Sequence, residues 1–319
     1  MQRDSYIIGG GISGLVWAFY TGWPIITPQI GGNYTRTYMT WLHDSPETRQ
    51  LLKDVGYENP GFYAKKSYMG YYRDGIIYDY MTEETNRQTI LRKMTEWNKD
   101  VDPNFELKTK EMSMSVVGGG NNYMNVLNVD LNDLIKRLSE KATLIDGMVI
   151  KIGDNWINYK TGDDIKDLVP FNKIVTTIAA PFFWKAYDGE LNKEFKCLPI
   201  TNVIVTKKPE FFDDRYEMIY YDMSVPFSRV SHLGGVYAIE FTGEMTEEQF
   251  RQLYPDLPVK DFFIVKQGRI FRNEENVSPS ENIIFSGRFA QWEYGITTEH
   301  IVKQALDYKK LIEKNNEKE

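Results

Sequence analysis

Residues 5–20 read SYIIGGGISGLVWAFY, and the reading of this stretch decides the fold. A short apolar run to Ile8 predicts a strand, three glycines follow, and Leu15, Ala18 and Phe19 then fall on one face at helical spacing. Gly9, Gly11 and Gly14 have the G-x-G-x-x-G spacing of a dinucleotide-binding turn, with Ser13 inside it. In such a turn the first glycine permits a tight bend, the second lets the backbone approach a pyrophosphate, and the third lets helix and strand pack closely. The helix N-terminus behind them turns its positive dipole end toward the anion. A glycine triplet alone is a weak signal. The strand before it and the helix after it give it weight.

Downstream, WPIITPQIGGNY (residues 23–34) predicts the second strand of the same fold. Such a strand usually ends on Asp or Glu, whose carboxylate holds the ribose hydroxyls. Here it ends in Thr27-Pro28-Gln29. Both Thr27 and Gln29 can hydrogen-bond a hydroxyl, though without the strength of an ionised acceptor. The ribose site is therefore expected to be rebuilt rather than lost. Near the other end stands NIIFSGRFAQWEYGITTEHIVKQALDYKKLI (residues 282–312). Asn282 to Phe285 predict a buried strand and Gly287 a close turn. Thr297 or Thr298 caps a helix carrying Ile301, Ala305, Leu306 and Ile312 inward. Arg288, directly after Gly287, is placed to give a phosphate a fixed cation.

Between the ends, Ser45, Pro46 and Gly56 mark a helix over SPETRQLLKDVG (residues 45–56). Asp74-Gly75 amid alternating aromatics marks a hairpin. A helix is expected over residues 124–138, with Leu131, Leu134, Ile135 and Leu138 inward, and strands within residues 143–162 and 172–181. With 319 residues and 42% apolar composition, the chain can bury one large core with an excursion, or two.

A net charge of −7 gives no electrostatic footprint for a nucleic-acid backbone, so a nucleic-acid partner is not expected. The one cysteine, Cys197, excludes an internal disulfide framework. The start MQRDSYIIGG runs straight into a strand, without a charged region followed by a long apolar stretch. A cytoplasmic protein with no membrane partner is expected. Only His43, His232 and His300 occur, none with partners at metal-ligand spacing, so no metal site is predicted. No serine lies in a G-x-S-x-G elbow, and Gly118 to Gly120 read as a loop.

Together these pieces resemble the glutathione-reductase-type FAD fold, and within it the amine-oxidase and UDP-galactopyranose mutase branch. Ile30-Gly31-Gly32-Asn33 matches that branch's turn after the second strand. Gly287-Arg288 is followed by Trp292 and Tyr294 as in its flavin-side segment, and His43 matches its histidine shortly after the first turn. The likeness is scattered over most of the chain and is specific at both ends.

The resemblance implies FAD held by Gly9, Gly11, Ser13, Gly14, Thr27, Gln29, Gly31, Gly32, Asn33, Val149, Thr177, Gly287, Arg288, Tyr294 and Ile296. The backbone at Val149 would lie along the adenine, and Thr176 and Thr177 near the cofactor. His43, Trp292 and Tyr294 would serve the reacting face. Ile296 stands where the mutase has an acidic residue, and no arginine aligns with the mutase's substrate-phosphate arginine. That leaves Arg229, Arg269 and Arg272 as candidates to bind an anionic substrate.

The expected architecture is α/β: a Rossmann-like, glutathione-reductase-type FAD-binding domain over residues 1–45, 121–180 and 266–319. A mixed α+β substrate domain would be inserted over residues 46–120 and 181–265. The implied function is an FAD-dependent oxidoreductase of the amine-oxidase-like superfamily acting on a small or nucleotide-linked substrate. A UDP-galactopyranose mutase-like flavin-dependent isomerase is the alternative, and a phage-type FAD-dependent nucleobase-modifying enzyme a further one.

Overall fold

The computed structural model describes residues 4–32, 41–57, 63–79, 123–189, 195–222, 224–233, 235–270, 273, 275–293 and 295–316. The chain opens with β1 (Asp4–Gly10), α1 (Ile12–Thr21), β2 (Ile25–Ile30), β3 (Trp41–His43) and α2 (Pro46–Asp54). Next come β4 (Tyr63–Arg73), β5 (Ile76–Tyr78), β6 (Tyr123–Asn128) and α3 (Leu131–Glu140). Four strands, β7 (Leu144–Asp146), β8 (Met148–Ile152), β9 (Trp156–Thr161) and β10 (Asp164–Thr176), lead to α4 (Ala180–Asp188). Then follow β11 (Cys197–Val205), β12 (Met218–Tyr221), β13 (Arg229–Leu233), β14 (Val236–Thr242), α5 (Glu247–Leu253) and β15 (Val259–Ile270). The chain ends with β16 (Ile283–Phe285), α6 (Arg288–Gln291) and α7 (Thr298–Asn316).

These elements form two compact units: residues 1–63, 127–196 and 270–319 in the first, residues 64–126 and 197–269 in the second. The expected division differs at its edges. Residues 46–63 and 181–196 belong with the first unit, because α2 packs on α7 and α4 on β8. Residues 121–126 and 266–269 belong with the second, where β6 neighbours β4 and β15 neighbours β11.

In the first unit β7, β2, β1, β10 and β16 form a parallel sheet in that spatial order. The long β10 continues into an antiparallel ribbon with β9 and β8. Parallel strands covered by helices are buried and read as apolar runs, which is why Ile7, Ile25 and Val175 are fully buried. Leu15, Val16 and Trp17 of α1 join them, together with Leu134 and Leu138 of α3 and Val302 of α7. Each such side chain contributes about 1.5–3 kcal/mol by leaving water. The Trp17 indole donates to Ser286 Oγ (2.7 Å), Ser286 Oγ to Gln304 Oε1 (2.8 Å), and Gln304 Nε2 to the Phe285 carbonyl. This buried polar link fastens α1 to the end of β16 and to α7.

The local signals behave as their chemistry requires. Ser45 accepts from the Thr48 amide and caps α2, with Pro46 at its first position. Asp74 and Gly75 both have positive φ, the conformation that a tight hairpin between β4 and β5 demands. The helix expected from residue 124 starts only at Leu131. Residues 123–128 instead form β6, and Asp130 caps α3 by accepting from the Asn132 and Asp133 amides.

In the second unit the sheet runs β15-β11-β14-β13-β12-β4-β6, with β5 on β4. One face carries the core: Val203, Ile219, Tyr221, Val230, Ile239 and Phe241 pack with Phe250 of α5. Among the described residues, no helix is long and apolar enough to cross a membrane.

Candidate functional site

The three motif glycines fill three different roles. Gly9 has φ +103°, and a Cβ there would lie 2.6 Å from Thr177 Oγ1. A Cβ on Gly14 would fall inside the Gly9 carbonyl oxygen and 3.2 Å from the Gly9 carbonyl carbon, so the close approach of α1 to β1 requires glycine there. Gly11 is the opposite case. It is the N-cap of α1 with extended backbone (φ −71°, ψ 177°), no side chain caps the helix, and no atom lies within 4 Å of where its Cβ would be. The first-turn amides of α1 therefore face open space, which is the surface an anion needs.

Two other segments close on this surface. The Gly31 amide donates to the Gly10 carbonyl (2.9 Å), and the Cβ position of Gly32 is 3.6 Å from Gly11 Cα. Gly287 has φ +88°, and its Cβ position is 2.6 Å from Ser13 Oγ, so the Gly287-Arg288 turn meets the same helix end. Thr177 fastens the floor: its amide donates to the Ile8 carbonyl (2.9 Å), and its hydroxyl lies 3.1 Å from the Ile8 and Gly9 carbonyls. This convergence lies at the carboxyl ends of β1 and β10, where the strand order reverses, the position at which open parallel sheets bind ligands. A cavity of about 1250 Å³ adjoins it, with Gly9, Thr27, Pro28, Val149, Phe182 and Lys185 among its lining residues.

Thr27 is placed differently from its sequence reading. It is buried, and its hydroxyl donates to the Gln29 carbonyl (2.7 Å) while accepting from the Gly10 amide (3.1 Å) and the Gln29 amide (3.3 Å). A hydroxyl has one proton and two lone pairs, so all of its capacity holds β2 to the glycine turn. The exposed side chains at the strand end are Pro28 and Gln29, of which Gln29 alone can donate a hydrogen bond.

His43 closes β3, and its Nδ1 lies 2.9 Å from Oε1 of Glu299 in the first turn of α7. Burial would raise the Glu299 carboxyl, but hydrogen bonds from His43, Thr297 and the backbone outweigh it and bring the pKa down to about 2. Glu299 thus holds a permanent negative charge against the ring. The sequence reading missed it, because the partners are 256 residues apart. The only local signal was an acidic residue behind the Thr297-Thr298 cap.

Trp292 is fully buried with φ +53°, edge-on to Phe195, and its indole N–H has no hydrogen-bond partner. Thr176 Oγ1, also fully buried, has none either. Ile296 packs against the apolar core of the first unit. Arg229 and Arg269 belong to the second unit and share one carboxylate, with contacts of 2.6 and 2.7 Å to Glu240. Asn33, Arg272, Tyr294 and Gly118 to Gly120 lie outside the described residues.

No family model and no curated protein matches this sequence. Solved structures do match in fold. Reduced UDP-galactopyranose mutase superposes with a TM-score of 0.65 over 98% of this chain and 94% of its own, at 12% identity. Cyclohexylamine oxidase from Brevibacterium oxydans IH-35A gives 0.63 over 99% and 100%, at 11% identity. A double mutant of putrescine oxidase, made to redesign cofactor binding, gives 0.60 over 98% and 99%, at 13% identity. At these identities the likeness is one of fold: a mixed α/β chain with more than one sheet, built as two oxidases and a mutase are built.

Proposed function

We propose that the chain is an FAD-dependent oxidoreductase of the amine-oxidase-like type, with a glutathione-reductase-type cofactor domain, acting on a small or nucleotide-linked substrate. The observation that carries this reading is the open space over Gly11 at an uncapped helix N-terminus, with Gly32 and Gly287 closing on it and the cavity beside it. Glycine at position 11 is not required by packing, unlike glycine at 14, and is explained by a ligand pressed against the backbone.

The residues present fit the cofactor. Gly11, Gly31 and Gly32 would hold the pyrophosphate with Arg288. Gln29 would reach the ribose, since Thr27 is spent on the turn, and the Val149 backbone would line the adenine. Two of the orphaned buried groups, the Trp292 indole N–H and Thr176 Oγ1, are polar atoms of this same unit that a bound group could satisfy. Bound there, FAD supplies electron-transfer chemistry that no side chain provides. His43, oriented through Nδ1 by Glu299, would hold or move a proton at Nε2.

A redox-neutral isomerase like UDP-galactopyranose mutase is the second reading, supported by the fold likeness to that enzyme and by the Ile30-Gly31-Gly32-Asn33 and Gly287-Arg288 turns. The test is mass analysis of the ligand released on denaturation, followed by turnover in air and under dithionite. FAD is expected. Consumption of oxygen supports the oxidoreductase, and turnover only after reduction, with no net oxidation, supports the isomerase. Release of FMN, NAD or nothing refutes both.

A further inference from the structure

Helix α4 of the first unit has two unlike faces. Phe183 and Trp184 are buried: Phe183 meets Phe285 of β16 edge-on (75°, centroids 4.8 Å apart), and the Trp184 indole donates to Asn276 Oδ1 (2.8 Å). Phe182, Lys185 and Ala186, at i, i+3 and i+4, line the cavity instead. At the end of the helix the Tyr187 hydroxyl donates to Asp154 Oδ1 (2.5 Å), just beyond β8, and both residues belong to the same lining. The cavity face of α4 is thus held in place by contacts in which the Phe182 side chain takes no part.

Phe182 is 63% exposed, and among the described residues its ring pairs with no other. Met148 of β8, 53% exposed, lines the same cavity. One exposed apolar side chain needs no explanation, but two from different elements in one cavity mark a surface for an apolar partner. The charges of the lining balance, Lys151 and Lys185 against Asp154 and Asp188. The hydrogen bond to Asp154, then burial, pushes the Tyr187 hydroxyl up to about 12, so it adds no charge. Such a cavity favours a flat, neutral group over an ion. At about 1250 Å³ it exceeds the roughly 300–1,000 Å³ of most small-molecule sites, so a nucleoside fits. Its place decides which half of a dinucleotide that is. Gly9 of the glycine turn and Thr27 and Pro28 at the end of β2 line it, where the adenosine lies in this type of sheet, whereas His43, Gly287, Arg288 and Trp292 do not.

We infer that Phe182 is the stacking platform for the adenine base of the bound dinucleotide. A purine is planar and apolar on its faces, and an aromatic ring left in water beside the nucleotide turn is the partner it stacks on. This accounts for a β2 that ends without the usual carboxylate: hold on the adenosine moves from the ribose hydroxyls to the base. The inference rests on the cofactor reading above and adds to it the side chain that selects an adenine nucleotide over a flavin mononucleotide.

The test is isothermal titration of the full-length protein, freed of bound ligand, with ADP and with inorganic pyrophosphate, after mass analysis of the ligand it releases. ADP should bind saturably. Phe182→Ala should weaken ADP at least about fivefold and leave pyrophosphate unchanged, because only the base is lost as a contact. Phe182→Tyr keeps the ring and should keep the affinity. Melting of ligand-free Phe182→Ala should not fall, since the side chain is mostly exposed and packs on no other ring. No saturable ADP binding, unchanged ADP affinity in Phe182→Ala, or an equal loss for pyrophosphate would each overturn the inference. A protein that releases FAD but binds ADP equally well with and without Phe182 sinks this proposal alone. A protein that releases NAD, FMN or nothing, yet shows Phe182-dependent ADP binding, sinks the FAD reading alone.

Discussion

Alanine at Gly11 and alanine at Gly14 should have opposite effects, although the two positions are three residues apart in one motif. At Gly14 the added methyl carbon meets the Gly9 carbonyl, a backbone group held in β1, with Ile7 Cγ2 a further 3.3 Å contact. Relief requires α1 to move off the sheet, yet Leu15, Val16 and Trp17 of that helix are fully buried. Forcing a side chain into a packed interior costs about 1–3 kcal/mol, and rigid backbone on one side puts this case at the upper end. At roughly 2–4 °C per kcal/mol for a unit of this size, melting should fall by roughly 6–12 °C. At Gly11 the new carbon meets nothing within 4 Å, and the backbone is extended, a conformation alanine adopts freely. The flavin-free protein should therefore melt unchanged or slightly higher, by up to about 1 kcal/mol of reduced unfolded-state entropy. Retention of FAD should drop at least about tenfold, since the methyl takes the place of the phosphate. Thermal melts of flavin-free protein and absorbance of the purified holoprotein read the two effects separately. The reasoning fails if Gly11→Ala destabilises the flavin-free chain as Gly14→Ala does, or if it keeps its flavin.

Three further outcomes are expected. The Glu299 carboxyl is held at about 2 against an ordinary 4.5, so its contribution is full above about pH 4.5 and lost as pH falls toward 2. Denaturant titrations should show Glu299→Gln less stable than wild type by at most about 3 kcal/mol at pH 6, with the difference shrinking below pH 4.5. Thr27→Glu, which would restore the usual ribose acid, should weaken flavin retention and lower melting. It places a carboxylate at a buried position and removes the proton given to the Gln29 carbonyl, and rising flavin content would contradict this. Asp130→Ala removes the acceptor for two first-turn amides of α3 and should cost about 1 kcal/mol, read as a fall of roughly 2–4 °C.

The parts legible in the sequence were those whose cause is local. The glycine turn, the Ser45 cap and the Asp74-Gly75 hairpin each follow from one residue's backbone freedom or one side chain bonding its own neighbours. Residues 124–130 misled because Val126 and Leu127 are buried in either a helix or a strand, and the deciding feature, pairing with β4, comes from more than fifty residues away. The unit boundaries shifted for the same reason. Nothing in SPETRQLLKD announces that α2 will bury Leu51 and Leu52 in the first unit's core, beside Val302 of α7.

The site shows the same division more sharply. The convergence of Gly11, Gly32 and Gly287 was readable because each glycine marks its own turn, whereas the use each polar atom makes of its capacity was not. Thr27 looked like a substitute for the ribose acid because it occupies the strand end, but a hydroxyl with three good partners in the turn has nothing left for a ribose. Glu299 looked like an ordinary first-turn acid until its oxygen met His43. Tyr71 read as one of the alternating aromatics of a hairpin, and Arg229 as a candidate to bind an anionic substrate. Only the pairing across five strands puts them in one row on the face away from the core. Donor and acceptor capacity is a property of single residues, but its balance depends on register.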